Sequence, residues 1–585
     1  MDYSRRWIRI GWTVKPDRGL APGPDGVRHG RHTPAVREAW EPHNGRIEGT
    51  IAMSQHSGIA RTCLGVLAVP AVALAFALPP LPAAAPAVAV GPARAAAVGA
   101  AIETRLEAGR VPAAAYAVVI DATVIVGAHG DGVTASTPFL LGSVSKSFTA
   151  LSVLQLAERG QVRLDDPVTR YLPWFRTADP VSVPTVRQLL DQTSGLPTAA
   201  GVAGLRDTDR TLEQRVRAIA GVTPTAAPGE TFQYCNLNYA TLGLLVQEVS
   251  GMSYADYLRV NVLEPLDMTG TYTSVGQARA AGLERATVPW FGVQVRREAT
   301  AFAGALPDGY LVSTAEDMGH YLQMQIDGGT YRGRSILSAD LVALMRQTAT
   351  ATPQDAAAPG TDGYALGLAT GTVGGTALVA HQGDVTGFHS DLALLPDRDQ
   401  GLVVLTAQNA FLLENDAAYR AGLGVLAGAE TPEFGFWDGY LGRYLIADGA
   451  AAVVALLMAL RGVRLARGAA RGCRNRSVTR AVAGLAAAIA GSAGLYAGIA
   501  VGGGALVQGY PLDPGLVLSS APELALIAGA VVAYPVLSSV LTSIGALRRG
   551  RRTSPPRCPA HTAVRGAAGS VPAYSAATSA LIRSS

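Results

Sequence analysis

The stretch FLLGSVSKSFTA at residues 139–150 constrains this chain most, because a turn-like segment there runs into an apolar segment with helical spacing at residues 148–156. If that segment is a helix, Ser143 and Lys146 lie in its first turn, and residues three apart share one helix face. The Ser143 hydroxyl and the Lys146 amine would then lie within hydrogen-bond reach. Such a pair suits a nucleophile that needs a neighbouring base.

The chain uses arginine almost everywhere that it needs a positive charge. Of its 48 Lys and Arg residues, only Lys15 and Lys146 are lysines. Arginine cannot lose its proton in a protein, whereas a desolvated lysine amine can. We therefore expect Lys146 to act through a proton that it can lose. Ser-x-x-Lys alone is a weak motif, and a surface lysine that follows a serine is the competing interpretation.

The bulk composition indicates membrane segments beside a globular part. The 585 residues predict more than one domain, and 49% hydrophobic against 16% charged residues is apolar for a soluble protein. The net charge of +4 owes much to two arginine-rich C-terminal stretches and indicates no nucleic-acid partner. The four cysteines lie far apart in different segments, so we predict neither a disulfide nor a metal site.

The N-terminal part divides into two segments. Residues 1–52 are rich in Arg, Gly, Pro and His without periodicity, which is typical of disorder or of an over-long start. From Met53, a short polar segment, an apolar run at 64–78 and an Ala/Pro-rich stretch form the three parts of a secretory signal. Residues 53–93 are thus a signal peptide or an uncleaved anchor with a linker. Both alternatives place the following residues outside the cytoplasm.

Residues 94–430 have the composition of a globular domain. Helical spacing predicts helices at residues 95–107, 239–250 and 315–326. Strands are predicted at both ends of the domain, at residues 115–120, 123–127, 378–380, 391–395 and 401–406. Strands at both ends with helices between them predict one sheet built from distant segments.

Residues 437–547 are predicted to form a membrane domain of three helices, at residues 437–460, 481–507 and 524–547. The first contains Asp438, Arg443 and Asp448, so an interfacial helix is the alternative there. Arginines crowd residues 461–480 and follow the third helix, whereas residues 509–523 have no basic residue. By the positive-inside rule, the basic loops and a disordered tail at 548–585 are cytoplasmic.

Two further clusters carry chemistry. The first is Tyr234-Cys235-Asn236, where residues two apart in an extended stretch point the same way. The second is His381-Gln382-Gly383, at the end of a predicted strand. Taken singly, Tyr234 reads as a core aromatic and His381 as a loop histidine. His320, His389 and Cys235 keep such structural interpretations, and the histidines lack the spacing of metal ligands.

Together, Ser-x-x-Lys, Tyr-x-Asn and His-x-Gly make residues 94–426 resemble the serine β-lactamase-related hydrolases. This group includes class C β-lactamases, D-Ala-D-Ala carboxypeptidases, D-aminopeptidases and esterases. The resemblance implies an α+β fold with a mainly antiparallel sheet, flanking helices and a helical subdomain, followed here by the predicted transmembrane helices. It implies no cofactor.

Two positions depart from the family pattern. Gln192 stands where relatives usually have a histidine, which we interpret as structural variation of a loop. His381 stands where class C β-lactamases have a lysine, and His-x-Gly is commoner among the peptidases and esterases of the family. The natural role is therefore expected to be that of a peptidase or an esterase.

The expected catalytic residues are Ser143, Lys146 and Tyr234. Ser143 attacks a carbonyl, while Lys146 and Tyr234 share the proton transfers, although each is a poor base at its ordinary pKa of about 10. We expect burial to lower the lysine pKa and a nearby cation, such as protonated His381, to lower the tyrosine pKa. Either residue remains a candidate for the base.

The expected substrate-binding residues are Asn236, His381, Gly383 and Asp384. Asn236 would donate to the substrate or hold Lys146. The resemblance implies an oxyanion hole formed by the backbone N–H groups of Ser143 and Asp384, and such donors supply much of acyl-transfer catalysis. His381 and Gly383 would line the same cleft.

The sequence thus predicts a multi-pass cell-membrane protein with an extracytoplasmic serine hydrolase domain. Its partners would be membrane lipid and a peptide, ester or amide substrate at the cell envelope, with no nucleic acid. The alternative is a β-lactam-binding or peptidoglycan-sensing protein that is acylated without efficient turnover. A sensor stays acylated, whereas an enzyme releases its product.

Overall fold

The computed structural model describes residues 92–470, except 180, 182, 206, 354–359, 411–412 and 430–434, together with 529, 534, 536 and 538–540. All of them belong to the second of the two units into which the chain divides, Ala84–Ser585. They form an α+β fold with an antiparallel sheet and flanking helices, as predicted.

The strands are β1 (Ala114–Ile120), β2 (Thr123–His129), β3 (Phe139–Leu140), β4 (Ala286–Trp290), β5 (Val293–Arg297), β6 (Val312–Ser313), β7 (Thr330–Tyr331), β8 (Arg334–Ser335), β9 (Thr350–Ala351), β10 (Thr361–Tyr364), β11 (Ala369–Val373), β12 (Thr376–Val385), β13 (Phe388–Leu395) and β14 (Gln400–Thr406). The α-helices are α1 (Pro92–Ala108), α2 (Ser145–Glu158), α3 (Val186–Leu190), α4 (Thr198–Ala203), α5 (Leu212–Arg217), α6 (Asn236–Ser250), α7 (Tyr254–Leu258), α8 (Val275–Ala280), α9 (Leu306–Gly309), α10 (Ala315–Ile326), α11 (Ala339–Arg346), α12 (Ala417–Ala427) and α13 (Tyr440–Ala470).

The main sheet has the strand order β2-β1-β14-β13-β12-β11-β10-β9. Each neighbouring pair is antiparallel, and β1 pairs with β14 so that Ala114 lies opposite Thr406. Distant segments therefore build one sheet, which confirms the prediction. The two-residue turn between β1 and β2 has positive φ at Asp121 and Ala122, the twist that suits a tight hairpin.

Both faces of the sheet are covered, because β1 alternates between two cores. Ala115, Ala117 and Val119 belong to a large core shared with α2, α6 and α10. The intervening residues of β1 belong to a second core shared with α1 and α12. This is the two-residue period of a strand buried on both sides.

The Ser-x-x-Lys motif enters the core from a single turn of 3₁₀ helix at Gly142–Val144. The prediction that Ser143 lies in the first turn of an α-helix is therefore wrong, because α2 begins two residues later, at Ser145. The cause is local: Gly142 has φ +50° and its backbone packs directly against Gly383 and Asp384 of β12. Helix α2 is buried from Ser145 to Leu156, so the motif lies at the centre of the fold.

The second motif lies where α6 begins. Cys235 is extended, with φ −134° and ψ 120°, but Asn236 is already the first helical residue. The prediction of one extended stretch through Asn236 is therefore wrong. The helix ends before Gly251, whose left-handed conformation closes it as predicted.

The first predicted membrane helix, at residues 437–460, falls on α13. Within the described part of the chain, no helix is both long and apolar enough to cross a bilayer. The second predicted helix lies outside the described residues, and of the third only six residues, 529, 534, 536 and 538–540, are described.

Candidate active site

Lys146 is the centre of the site. Its Nζ lies 2.9 Å from Ser143 Oγ, 2.8 Å from Asn236 Oδ1 and 2.6 Å from the backbone oxygen of Asp308. A lysine ammonium has three N–H donors, and these three acceptors use all of them. The expected Ser143–Lys146 contact is confirmed, and Asn236 holds the lysine, which was one of its two expected roles.

Burial governs the charge of Lys146, whose side chain has no exposed surface. Desolvation lowers its pKa from 10.5 to about 7, while the Asp308 carboxylate acts to raise it and the Arg215 guanidinium to lower it. The expectation that burial lowers the lysine pKa is confirmed. Loss of one proton leaves Nζ with two donors and a lone pair. That lone pair can accept the proton of the neighbouring Ser143 hydroxyl.

Tyr234 lies against both members of the pair. Lys146 Nζ lies 4.9 Å from the centre of the Tyr234 ring, and the Ser143 side chain is close enough to the tyrosine to act toward lowering its pKa. Burial of the hydroxyl, with the neighbouring Tyr364, raises the pKa of Tyr234 well above 10. The expectation of a lowered tyrosine pKa is therefore wrong, and at neutral pH the side chain is a neutral phenol.

His381 does not supply the positive charge that was expected beside Tyr234. Burial, followed by the charge of Lys146, lowers the pKa of this histidine to about 3, so it is neutral. Its Nδ1 lies 2.6 Å from the Gln382 carbonyl and must donate, which leaves Nε2 to accept from the Tyr364 hydroxyl at 3.2 Å. The ring centroids of His381 and Tyr234 are 6.2 Å apart, so the motif histidine lines the cleft.

The third motif meets the first through backbone contacts. An ideal Cβ at Gly142 would lie 2.5 Å from Asp384 N, and one at Gly383 would lie 2.9 Å from Ser143 N. Only glycine allows the two backbones to approach so closely. The contact thus brings the backbone around Ser143 close to the backbone around Asp384, the two residues expected to supply the oxyanion donors.

The site contains an ion pair that the sequence reasoning missed. Arg215 of α5 and Asp308 of α9 are joined at 2.6 Å with essentially no exposed surface, and Asp308 also supplies a carbonyl to Lys146. A signal existed for Arg215, because it lies three residues after Leu212 and beside Val216 on the apolar side of a short helix. Nothing in the sequence around Asp308 marked it.

His389 was interpreted as structural, but it contacts a predicted site residue. Its two ring nitrogens lie 2.7 Å from Asp384 Oδ1 and 2.9 Å from Asp391 Oδ2. Although burial opposes it, the two carboxylates raise the histidine pKa well above its usual value. The protonated ring thus holds the side chain of Asp384, whose backbone nitrogen faces Ser143.

Residues 98–427 match the family model described as Beta-lactamase. The chain belongs to the beta-lactamase family. This assignment confirms the predicted resemblance to the β-lactamase-related serine hydrolases.

Individual relatives support the assignment. Penicillin-binding protein 4 of Amycolatopsis lactamdurans is 32% identical over 346 residues, which cover 55% of this chain and 88% of that protein. Protein flp of Staphylococcus aureus strain COL is 29% identical over 332 residues, or 54% of this chain. The match spans 63% of flp, less than two thirds of its length.

A solved structure supports the fold. The octameric penicillin-binding protein homologue from Pyrococcus abyssi superposes with a TM-score of 0.50 and 25% sequence identity. The match covers 58% of this chain and 78% of that chain.

Proposed function

We propose that this protein hydrolyses a peptide, ester or amide at the cell envelope through an acyl-enzyme on Ser143. The observation that carries the proposal is the hydrogen-bonding of Lys146, whose buried amine contacts Ser143 Oγ and two fixed acceptors. With a pKa of about 7, this amine loses its proton near neutrality.

Acylation then proceeds with Lys146 as the base. The Ser143 Oγ–H proton passes to Lys146 Nζ while Oγ forms a bond to the substrate carbonyl carbon. The negative charge on the carbonyl oxygen is stabilised by the backbone N–H groups of Ser143 and Asp384. As the tetrahedral intermediate collapses, the bond to the leaving amine or alcohol breaks.

Tyr234 acts as the proton relay to the leaving group. Its raised pKa keeps it protonated, so it donates to the departing nitrogen or oxygen and is reprotonated from Lys146. Water then attacks the acyl-enzyme, and the same groups return the proton to Ser143. The environment lowers the pKa of Lys146 and raises that of Tyr234, which makes the lysine the base and the tyrosine the acid.

A neutral His381 favours peptidase or esterase activity over β-lactam hydrolysis. A lysine in this position would give the cleft a fixed cation, whereas burial keeps His381 uncharged.

A substrate panel tests the proposal on the purified full chain. Short D-amino-acid peptides and amides, short esters and a chromogenic cephalosporin are incubated with the protein and with Ser143→Ala. We expect turnover of a peptide, amide or ester that Ser143→Ala lacks, with slow or no cephalosporin hydrolysis. Stoichiometric labelling without any product release would instead establish the sensor alternative.

We also propose that the catalytic domain is held outside the cytoplasm by membrane helices among residues 437–547. The apolar segments 481–507 and 524–547 and the arginines of residues 461–480 support this topology. A protease added to intact cells should cleave within residues 94–426 and leave residues 461–480 intact. Cleavage confined to residues 461–480 would reverse the orientation.

A further inference from the structure

The buried ion pair beside Lys146 fixes one of its three hydrogen-bond acceptors. The Arg215 guanidinium is bidentate on Asp308, with Nη1–Oδ1 at 2.6 Å and Nη2–Oδ2 at 2.9 Å, and Nη1 also donates to Gly304 O at 2.5 Å. The cation stacks over the Phe302 ring at 5.0 Å. Because Asp308 is held by its side chain, its carbonyl is aimed at Lys146 Nζ.

The pair also sets the charge that Lys146 experiences. Groups from every neighbouring element face this amine: Asp308 on α9, Arg215 on α5, Tyr234 and Cys235 before α6, Tyr239 on α6, and His381 and Asp384 on β12. Burial keeps the tyrosines and the thiol protonated, and His381 is neutral. The Asp384 carboxylate is ion-paired with His389. Asp308 and Arg215 are therefore the two charges that act on the pKa of Lys146, which Asp308 raises and Arg215 lowers.

We propose that Arg215 is a positioning residue whose charge cancels that of Asp308, so that Asp308 can hold the Lys146 amine without keeping it protonated. Without Arg215, the charge of the Asp308 carboxylate would favour the ammonium form of Lys146, which cannot accept the Ser143 proton. This inference rests on the proposed acyl-enzyme chemistry of Ser143. It extends that chemistry to a pair of residues that need not touch substrate.

The two-lysine composition of the chain allows a direct test. In a Lys15→Arg background, Lys146 is the sole lysine, so a ¹³C-lysine NMR titration of the full chain reports its pKa without any substrate. Arg215→Gln should raise this pKa by about one unit or more, and Asp308→Asn should lower it by a similar amount. The double variant should return close to the parent value of about 7.

A matched control lies on the same helix. Arg217 pairs with Glu213 at 2.7 Å, but both side chains are about half exposed, so Arg217→Gln should leave the Lys146 pKa unchanged. A purely structural role for Arg215 predicts lower stability in both single variants without opposite shifts. Shifts of the same sign, or none, would overturn the proposal.

Two safeguards keep the test decisive. If Arg215→Gln does not fold, Asp308→Asn and the double variant still test the proposal, and an unchanged pKa in Asp308→Asn overturns it. The pH dependence of Ser143 labelling by a fluorophosphonate is measured in parallel, and its acid limb should move with the NMR value. Absence of labelling in every variant would refute the proposed function, while the titration would still decide the role of Arg215.

Discussion

Gln192 and Asn238 share a 2.6 Å hydrogen bond, in which the Asn238 amide donates to Gln192 Oε1. The same oxygen accepts from the backbone N–H of Cys235 at 3.0 Å. Gln192 is fully buried, and its φ of +63° is strained for a residue other than glycine. Its side chain contacts the segment that carries Tyr234 and Asn236. The residue that departs from the family pattern thus contacts the segment that carries Tyr234, the proposed proton relay, and Asn236, which holds Lys146.

Gln192→Leu should destabilise the protein and slow acylation. It removes the acceptor of two buried donors, which typically costs about 1–3 kcal/mol of unfolding free energy. Chemical denaturation and the fluorophosphonate labelling rate measure the two effects. Gln233→Leu is the control, because that side chain accepts a hydrogen bond from Thr225 in an exposed contact. Equal effects of the two substitutions would contradict the assigned role.

Ser143→Ala should abolish covalent labelling by a fluorophosphonate or a β-lactam probe. Ser145→Ala should retain it, because Ser145 Oγ is buried and accepts from Leu311 N at 3.2 Å, away from the cleft. Mass spectrometry of the labelled chain measures both. Labelling that persists in Ser143→Ala would show that another residue is the nucleophile.

Lys146→Arg should slow acylation of Ser143 by about a hundredfold to ten-thousandfold, the typical cost of losing a general base. The charge is retained, but a guanidinium stays protonated and its planar fork does not fit three acceptors grouped around one nitrogen. Lys146→Met, run beside it, separates size from charge. Near-normal acylation in the arginine variant would make Lys146 a fixed charge and Tyr234 the base.

Gly383→Ala should reduce acylation by about a hundredfold to a thousandfold, the cost of losing an oxyanion donor. The new methyl group would collide with the Leu141 carbonyl and lie 2.5 Å from Ser390 Oγ, so β12 must move away from Ser143. Gly221→Ala is the control, since a Cβ there meets nothing within 4 Å. Stopped-flow acylation measures the effect, and unchanged rates would show that the two backbones need no close contact.

His389→Leu should lower the unfolding free energy by about 3–5 kcal/mol at neutral pH, because Asp391 then remains buried without its counter-charge. The raised histidine pKa means that its contribution is fully present below its ordinary pKa of about 6.5 and declines as pH rises through the raised value. Denaturation at neutral and alkaline pH should therefore show a smaller difference from wild type in alkali.

A partly exposed histidine provides the comparison for that variant. His129 contacts Glu103 at 2.8 Å, but the two side chains are 21% and 33% exposed. His129→Leu should cost at most about 1 kcal/mol. A His389→Leu variant no less stable than His129→Leu would mean that Asp391 is satisfied by Gln382 alone.

Local patterns predicted the parts of the site that depend on neighbours in sequence. The Ser143–Lys146 contact follows from a three-residue spacing, and the tight β1–β2 hairpin follows from two strand signals separated only by Asp121 and Ala122. The sheet built from both ends of the domain followed from strand signals there. Each of these depends on backbone periodicity, which is visible in residue order.

The errors arose where charge depends on tertiary burial. His381 was expected to be a cation, but enclosure beside Lys146 makes it neutral. Arg215 and Asp308 are 93 residues apart in the chain, so no local pattern marks them as a pair. The positive φ of Gly142 likewise depends on contact with a strand formed much later in the sequence.

The pairing of β1 with β14 means that the sheet cannot be completed until nearly the whole domain has been synthesised. A chain that leaves the ribosome or a translocon N-terminus first presents Ser143 and Lys146 long before Gly383 and Asp384, which complete their surroundings. Strand β1 must also wait for β14, the last strand of the sheet. The site therefore stays incomplete until the last strand of the sheet has been synthesised, and long-range closure of the sheet is the step that completes it.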